Sequence, residues 1–257
     1  MSSQPAFIWA LVVAGVLGIP ALVAVGLYRG ARTAGRSRPR AWTTAIGFAV
    51  VWAAWIGVSA FLADRGAYAQ ASETTRPWIG VAALGALLVA LGGTAVPGIR
   101  AASTAPGGLA RLAVPQTLRV VGAVFVVAMA LGTLPAVFAL PAGLGDIAVG
   151  IAALVIARRL ARGDRTGARW FNLLGLLDLV VAVSLGFLAG LGPTRILDVT
   201  PSTAEIGLLP LVLIPTTAVP LAMALHLASL RQLRHPTPST AQPSGGSPSK
   251  SVLGHST

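Results

Sequence analysis

Asp178 stands in the run Trp170-Phe171-Asn172-Leu173-Leu174-Gly175-Leu176-Leu177-Asp178-Leu179-Val180-Val181-Ala182-Val183, which stays apolar to Gly190 and is long enough to cross a bilayer. An ionisable group at that depth costs roughly 2.5–3.5 kcal/mol on insertion scales, so it requires a partner or a task. Asp146 occupies a second apolar run in a similar setting, Gly143-Leu144-Gly145-Asp146-Ile147-Ala148-Val149 against Gly175-Leu176-Leu177-Asp178-Leu179-Val180-Val181. Gly143, Asp146, Gly150, Ala153 and Ala157 follow helical spacing, as do Gly175, Asp178, Ala182, Gly186 and Ala189. Each set therefore forms one face of small residues, the kind of face along which helix backbones approach closely and turn their polar groups away from lipid. Two carboxylates so placed are candidates to bind a cation or relay protons.

A second group of polar residues interrupts the apolar blocks: Gln116, Arg119, Asn172 and His226. They are expected near one membrane face, lining a vestibule, with Arg119 as counter-ion to Asp178 about two turns deeper. Snorkelling of Arg119 and His226 to the interface is the plainer alternative. Phe48, Trp52, Trp55 and Ser59 make one stripe, so Trp52 and Trp55 are candidate pocket walls, against the reading of a packing or lipid-facing ridge. Pro210, Pro215 and Pro220 predict a bent final helix in which Thr216 and Thr217 satisfy carbonyls freed by the missing N–H groups.

The elements that must hold these residues are transmembrane helices. Of 257 residues 55% are hydrophobic and only 10% charged, with a mean hydropathy of +0.80, whereas a soluble domain carries about 25% charged residues. The pattern predicts an all-α, polytopic bundle of seven helices at about 6–28, 42–62, 78–96, 118–139, 142–158, 170–190 and 206–230. Pro135, Pro141 and Gly143 are read as the turn between the fourth and fifth. On that layout Asp146 is about 6 Å below one edge of the hydrocarbon and Asp178 about 12 Å above the other, which leaves about 12 Å between them in a core about 30 Å thick. An acid in the first turns of a helix also suits the helix dipole, which offers Asp146 a structural reason to exist.

Arginine bias orients the bundle. Only Arg65, Arg76 and Arg195 of the 19 basic residues fall in one set of connections, and the rest fall in the alternate set or the C-terminal tail. This positive-inside pattern predicts an N-terminus outside and a C-terminus in the cytoplasm. Trp9, Trp42, Trp78 and Trp170 fall at helix ends, the interfacial positions such rings prefer. The first helix lacks the basic n-region of a signal peptide. Residues 236–257 read as a disordered cytoplasmic tail rich in Pro, Ser and Thr. Near-exclusive use of arginine over lysine suggests a GC-rich bacterial genome, and the apolar spans then predict a multi-pass protein of the bacterial plasma membrane.

The absence of cysteine excludes disulfides, thiolate metal sites and cysteine nucleophiles. A retinal Schiff base is excluded because the only lysine, Lys250, is in the tail, and His226 is the only intramembrane histidine, too few for bis-histidine haem. No metal or other cofactor is implied. The net charge of +12 belongs to interhelical loops and does not indicate nucleic acid. Two function classes remain in front. The first is binding or transport of a small polar or cationic solute, or of protons, through Asp178 with Asp146, His226 and Arg119, in a bundle small enough that a homo-oligomer is expected. The second is a structural or accessory subunit in which the aspartates are interhelical packing contacts.

Overall fold

The computed structural model describes residues 4–70, 78–192 and 194–234, which are helical with no strand among them; the expected tail lies outside the described residues. Helices α1 (Ala6–Thr33) and α2 (Arg38–Asp64) form a hairpin through the arginine-rich connection. α3 (Trp78–Gly93) is followed by the short α4 (Pro97–Thr104) at a bend of 77°. Next come α5 (Gly108–Ala113), a 3-10 segment Val114–Gly122 and α6 (Ala123–Ala130), which together make one span. α7 (Ala136–Ala161) and α8 (Ala168–Leu188) are the second hairpin, and α9 (Val219–Arg234) closes the bundle. Among the described residues five helices are long and apolar enough to cross a membrane, and α3 with α4 makes a sixth if the bent pair counts as one span.

Trp42, Trp78 and Trp170 are exposed at the ends of α2, α3 and α8, and valine, leucine and phenylalanine side chains such as Val50, Phe61, Leu88 and Leu177 cover the outer surface. A surface this apolar suits lipid, not water. The interior holds small clusters of aliphatic side chains, including Ile8, Val12, Val124 and Leu134, together with a set of buried polar residues. The turns are made by local chemistry. Arg111 donates to the carbonyls of Ala102, Ala105 and Pro106 and so satisfies the free C-terminal end of α4. At the α7–α8 turn, the hydroxyl and backbone N–H of Thr166 hold the Asp164 carboxyl below its ordinary range.

Two expected boundaries differ from the structure. The fourth span ends at Ala130, and the chain reverses over Leu131–Pro135, with Gly132 at φ 74°. Only glycine adopts that left-handed backbone without strain. Pro141, expected in the turn, sits inside α7. A proline within a span gives up a single backbone bond, which a packed bundle tolerates. The last expected helix is not one rod either. A π turn over Ile214–Ala218 precedes α9, and the Thr216 and Thr217 hydroxyls donate back to the carbonyls of Val212 and Leu213.

Candidate functional site

The 3-10 segment is where the site begins. In a 3-10 helix, residues three apart eclipse one another, so Gln116, Arg119 and Gly122 fall in one row, and all three are buried. Arg119 is 3% exposed and lies inside the bundle, which overturns the snorkelling alternative for it. Its Nε donates to Asp146 Oδ1 at 2.7 Å and its Nη2 approaches the same oxygen at 2.6 Å. Nη2 also donates to Asp178 Oδ2, and Nη1 donates to the Gly175 carbonyl at 3.3 Å. One guanidinium therefore holds two carboxylates from two different helices.

The expected vertical offset of the aspartates is thus corrected. Because α7 starts at Ala136 and not near 142, Asp146 is ten residues into its helix, and Asp178 is ten residues into α8, counted from Ala168. The two helices run in opposite directions, so a rise of about 15 Å from opposite ends brings both acids to the same level, near the middle of a core about 30 Å thick. The helix-dipole reading of Asp146 falls with the same correction, since the residue is far from the first turn.

The network continues away from the carboxylates. His226 on α9 is fully buried; its Nε2 is 3.4 Å from Arg119 Nη1, and its Nδ1 is 2.9 Å from Asn172 Oδ1. Arginine only donates, so Nε2 must be the acceptor and the ring proton sits on Nδ1, donating to Asn172. Asn172 Nδ2 in turn donates to the Ala168 carbonyl at 2.7 Å, which fixes the orientation of its amide. Gln116 Nε2 donates to the Ala222 carbonyl of α9 at 3.0 Å. Gln116, Arg119, Asp146, Asn172, Asp178 and His226 therefore join in one region where the 3-10 segment, α7, α8 and α9 meet.

Three glycines make the room. A Cβ on Gly122 would overlap the Asp146 side chain, one on Gly145 would overlap the Asp178 carboxylate, and one on Gly175 would overlap the His226 ring. Gly175 belongs to the small-residue face read from the sequence, but Gly122 and Gly145 do not. The seat for Asp178 is offered by the glycine beside Asp146, one residue off the expected stripe. A signal was present in Gly143-Leu144-Gly145, since two glycines on adjoining faces leave a helix unusually bare.

The aromatic stripe divides. Trp55 Nε1 donates to the Thr216 carbonyl at 3.0 Å. That carbonyl is the one an α-helical N–H at position 220 would have engaged, and Pro220 has none. Trp55 is thus a clasp on the irregular helix. Trp52 instead helps line a large cleft beside α2, and its buried indole N–H has no acceptor among the described residues.

Two small cavities touch Asp146. One of about 40 Å³ is shared with Arg119, Val12 and Ile19. The other, of about 70 Å³, reaches from Asp146 past Phe187 to Gln70 and Thr203, near the end of the bundle opposite the arginine-rich connections. A water needs roughly 10–15 Å³ of such volume, so each admits a few waters at most. No group of three or more metal-ligating side chains occurs among the described residues.

A family model described as a domain of unknown function, DUF8737, matches residues 76–234. The chain belongs to this family. The DUF8737 stretch contains every member of the polar network, from Gln116 to His226, and leaves out α1, α2 and the two stripe tryptophans. Comparison with curated proteins and with solved structures gives no match.

Proposed function

We propose that this DUF8737 protein is a multi-pass protein of a bacterial plasma membrane that passes protons by way of Asp146 and Asp178, with Arg119 as their shared counter-ion. The observation that carries the reading is a charge count: two carboxylates share one buried guanidinium, and His226 is held as a neutral acceptor of the arginine. With both acids ionised the cluster has one negative charge in excess at mid-bundle, where an unbalanced charge is costly. A proton on either carboxyl removes the excess, and the shared Nη2 lets the bond to one acid strengthen as the other is neutralised. The cavities beside Asp146, about 40 and 70 Å³, suit water and not a solute, which narrows small cations and polar solutes to protons.

The topology completes the proposal. The five long helices, the bent α3–α4 pair and the broken segment ending in α9 are read as seven crossings, with the N-terminus outside and the arginine-rich connections in the cytoplasm. Asp146 then receives protons from the outer cavity, and Asp178 passes them toward the cytoplasmic half.

A second reading rests on a specific observation: every nitrogen of Arg119 has a partner. A fully satisfied cluster serves equally as a clamp joining α7, α8 and α9. Purified protein in proteoliposomes under an imposed pH gradient, followed with an entrapped pH-sensitive dye, separates the two. The proton reading expects flux above that of empty vesicles, lost on Asp178→Asn. Wild-type flux equal to that of empty vesicles leaves the clamp.

A further inference from the structure

A cleft of about 770 Å³ lies between the α1–α2 hairpin, α3, α4 and α9, apart from the charged cluster. This is within the roughly 300–1,000 Å³ of small-molecule sites. Its inner walls are Leu27, Phe48, Trp52, Ile99, Leu221 and Leu225, and its arginine-rich end carries Arg36 and Arg40. No acidic residue among the described residues lines it. Arg36 spends one N–H on the Pro97 carbonyl at 3.4 Å; Arg40 is exposed. A long apolar slot ending at two cations is the negative image of an anionic amphiphile. α2 and α3, which flank the slot, present Val50, Val58, Leu84 and Leu88 to the outside, so a lipid chain enters sideways from the bilayer.

The geometry points to a phospholipid with an anionic headgroup as the occupant, its phosphate on Arg36 and Arg40 and one acyl chain beside Phe48 and Trp52. Guanidinium groups bind phosphate oxygens in bidentate fashion and stay charged at any physiological pH. Basic residues at the membrane surface select anionic over zwitterionic lipid. The bend of 77° between α3 and α4 holds the slot open, because a straight continuation of α3 would not turn Ile99 and Ser103 back to its wall.

The test uses the full chain in neutral detergent, titrated with phosphatidylglycerol or with phosphatidylcholine of the same acyl chains, with retained lipid counted by native mass spectrometry. One phosphatidylglycerol per chain is expected, with phosphatidylcholine weaker by about thirtyfold, the scale for two arginines beside one anionic headgroup. Arg36→Gln with Arg40→Gln abolishes that preference. A Cβ at Gly47 meets open space, so Gly47→Phe is accommodated without backbone clash and occupies the slot, and it loses both lipids while keeping the wild-type melting temperature. Equal retention of the two lipids by the wild type overturns the proposal, as does undiminished phosphatidylglycerol on a folded Gly47→Phe variant. Displacement of the lipid by inorganic phosphate alone would mean a soluble-anion site and also overturns it.

Discussion

Arg119→Gln should destabilise this protein more than either aspartate-to-asparagine change, because the substitutions leave different residual charges. The wild-type cluster has one cation and two carboxylates, all but 2–15% buried at the side-chain level. Removing the guanidinium leaves two carboxylates with no cation, a loss of about 3–5 kcal/mol on the scale of broken buried ion pairs. Removing one carboxylate charge leaves Arg119 with the other aspartate in a balanced pair. The loss is then one charge-assisted hydrogen bond, about 1.5–3 kcal/mol, at the low end because the asparagine oxygen still accepts. In a chain of this size 1 kcal/mol moves the melting temperature by about 2–4 °C.

The triple variant Arg119→Gln, Asp146→Asn, Asp178→Asn tests the argument most sharply. It has no charge left to bury, so it should be more stable than Arg119→Gln alone, although it carries two further substitutions. A coupling of about 0.5–3 kcal/mol is the usual size for groups in one network. Thermal unfolding in detergent, followed by tryptophan fluorescence, measures the wild type and the four variants. An Asp178→Asn loss as large as that of Arg119→Gln refutes this charge balance, as does a triple variant that melts at the sum of the single losses.

Gly145→Ala and Gly122→Ala should each cost about 1–3 kcal/mol by overpacking, because the new methyl meets an aspartate side chain in both cases. Gly57→Ala, where a Cβ meets nothing within 4 Å, should be neutral or stabilising by about 0.5–1 kcal/mol; a melting series of the three checks the ordering. Trp55→Phe should cost about 1 kcal/mol for the lost bond to the Thr216 carbonyl. Trp52→Phe gives up no hydrogen bond among the described residues, so the same measurement should find the smaller hydrogen-bond loss there.

The polar network was legible in residue type and hidden in geometry. Arg119, Asp146, Asn172, Asp178 and His226 stand out because each interrupts an otherwise apolar block, and such residues have few reasons to exist. Their relative depth was not legible, because two turn signals compete over a dozen residues. Pro141-Ala142-Gly143 resembles a reversal as well as Gly132-Thr133-Leu134-Pro135 does, and packing of α7 against the 3-10 segment, not local propensity, decides between them. Choosing the wrong turn moves the start of α7 by six residues, from 142 to 136, which accounts for most of the offset expected between the two aspartates. The role of Gly122 is hidden in the sequence for another reason. A glycine that yields space to a partner side chain looks the same in sequence as one of the many that merely pack.

The departures from regular helix are concentrated where the polar groups are. Residues advance about 100° each in an α-helix, so three steps fall about 60° short of a full turn, whereas three 3-10 steps close it. Were Val114–Gly122 α-helical, Gln116, Arg119 and Gly122 would spread over about 120° of the helix surface instead of standing in one row. A 3-10 run of nine residues exceeds the usual three or four, because its hydrogen bonds are poorer. The ion pairs to Asp146 and Asp178, and the bond from Gln116 to Ala222, offset that weakness. On the α9 side the π turn and Pro220 leave the Thr216 carbonyl to Trp55, outside the helix. The chain thus buries the polar side chains of its irregular segments, Gln116, Arg119, Thr216 and Thr217, as hydrocarbon requires. It uses that irregularity to place one arginine between two acids.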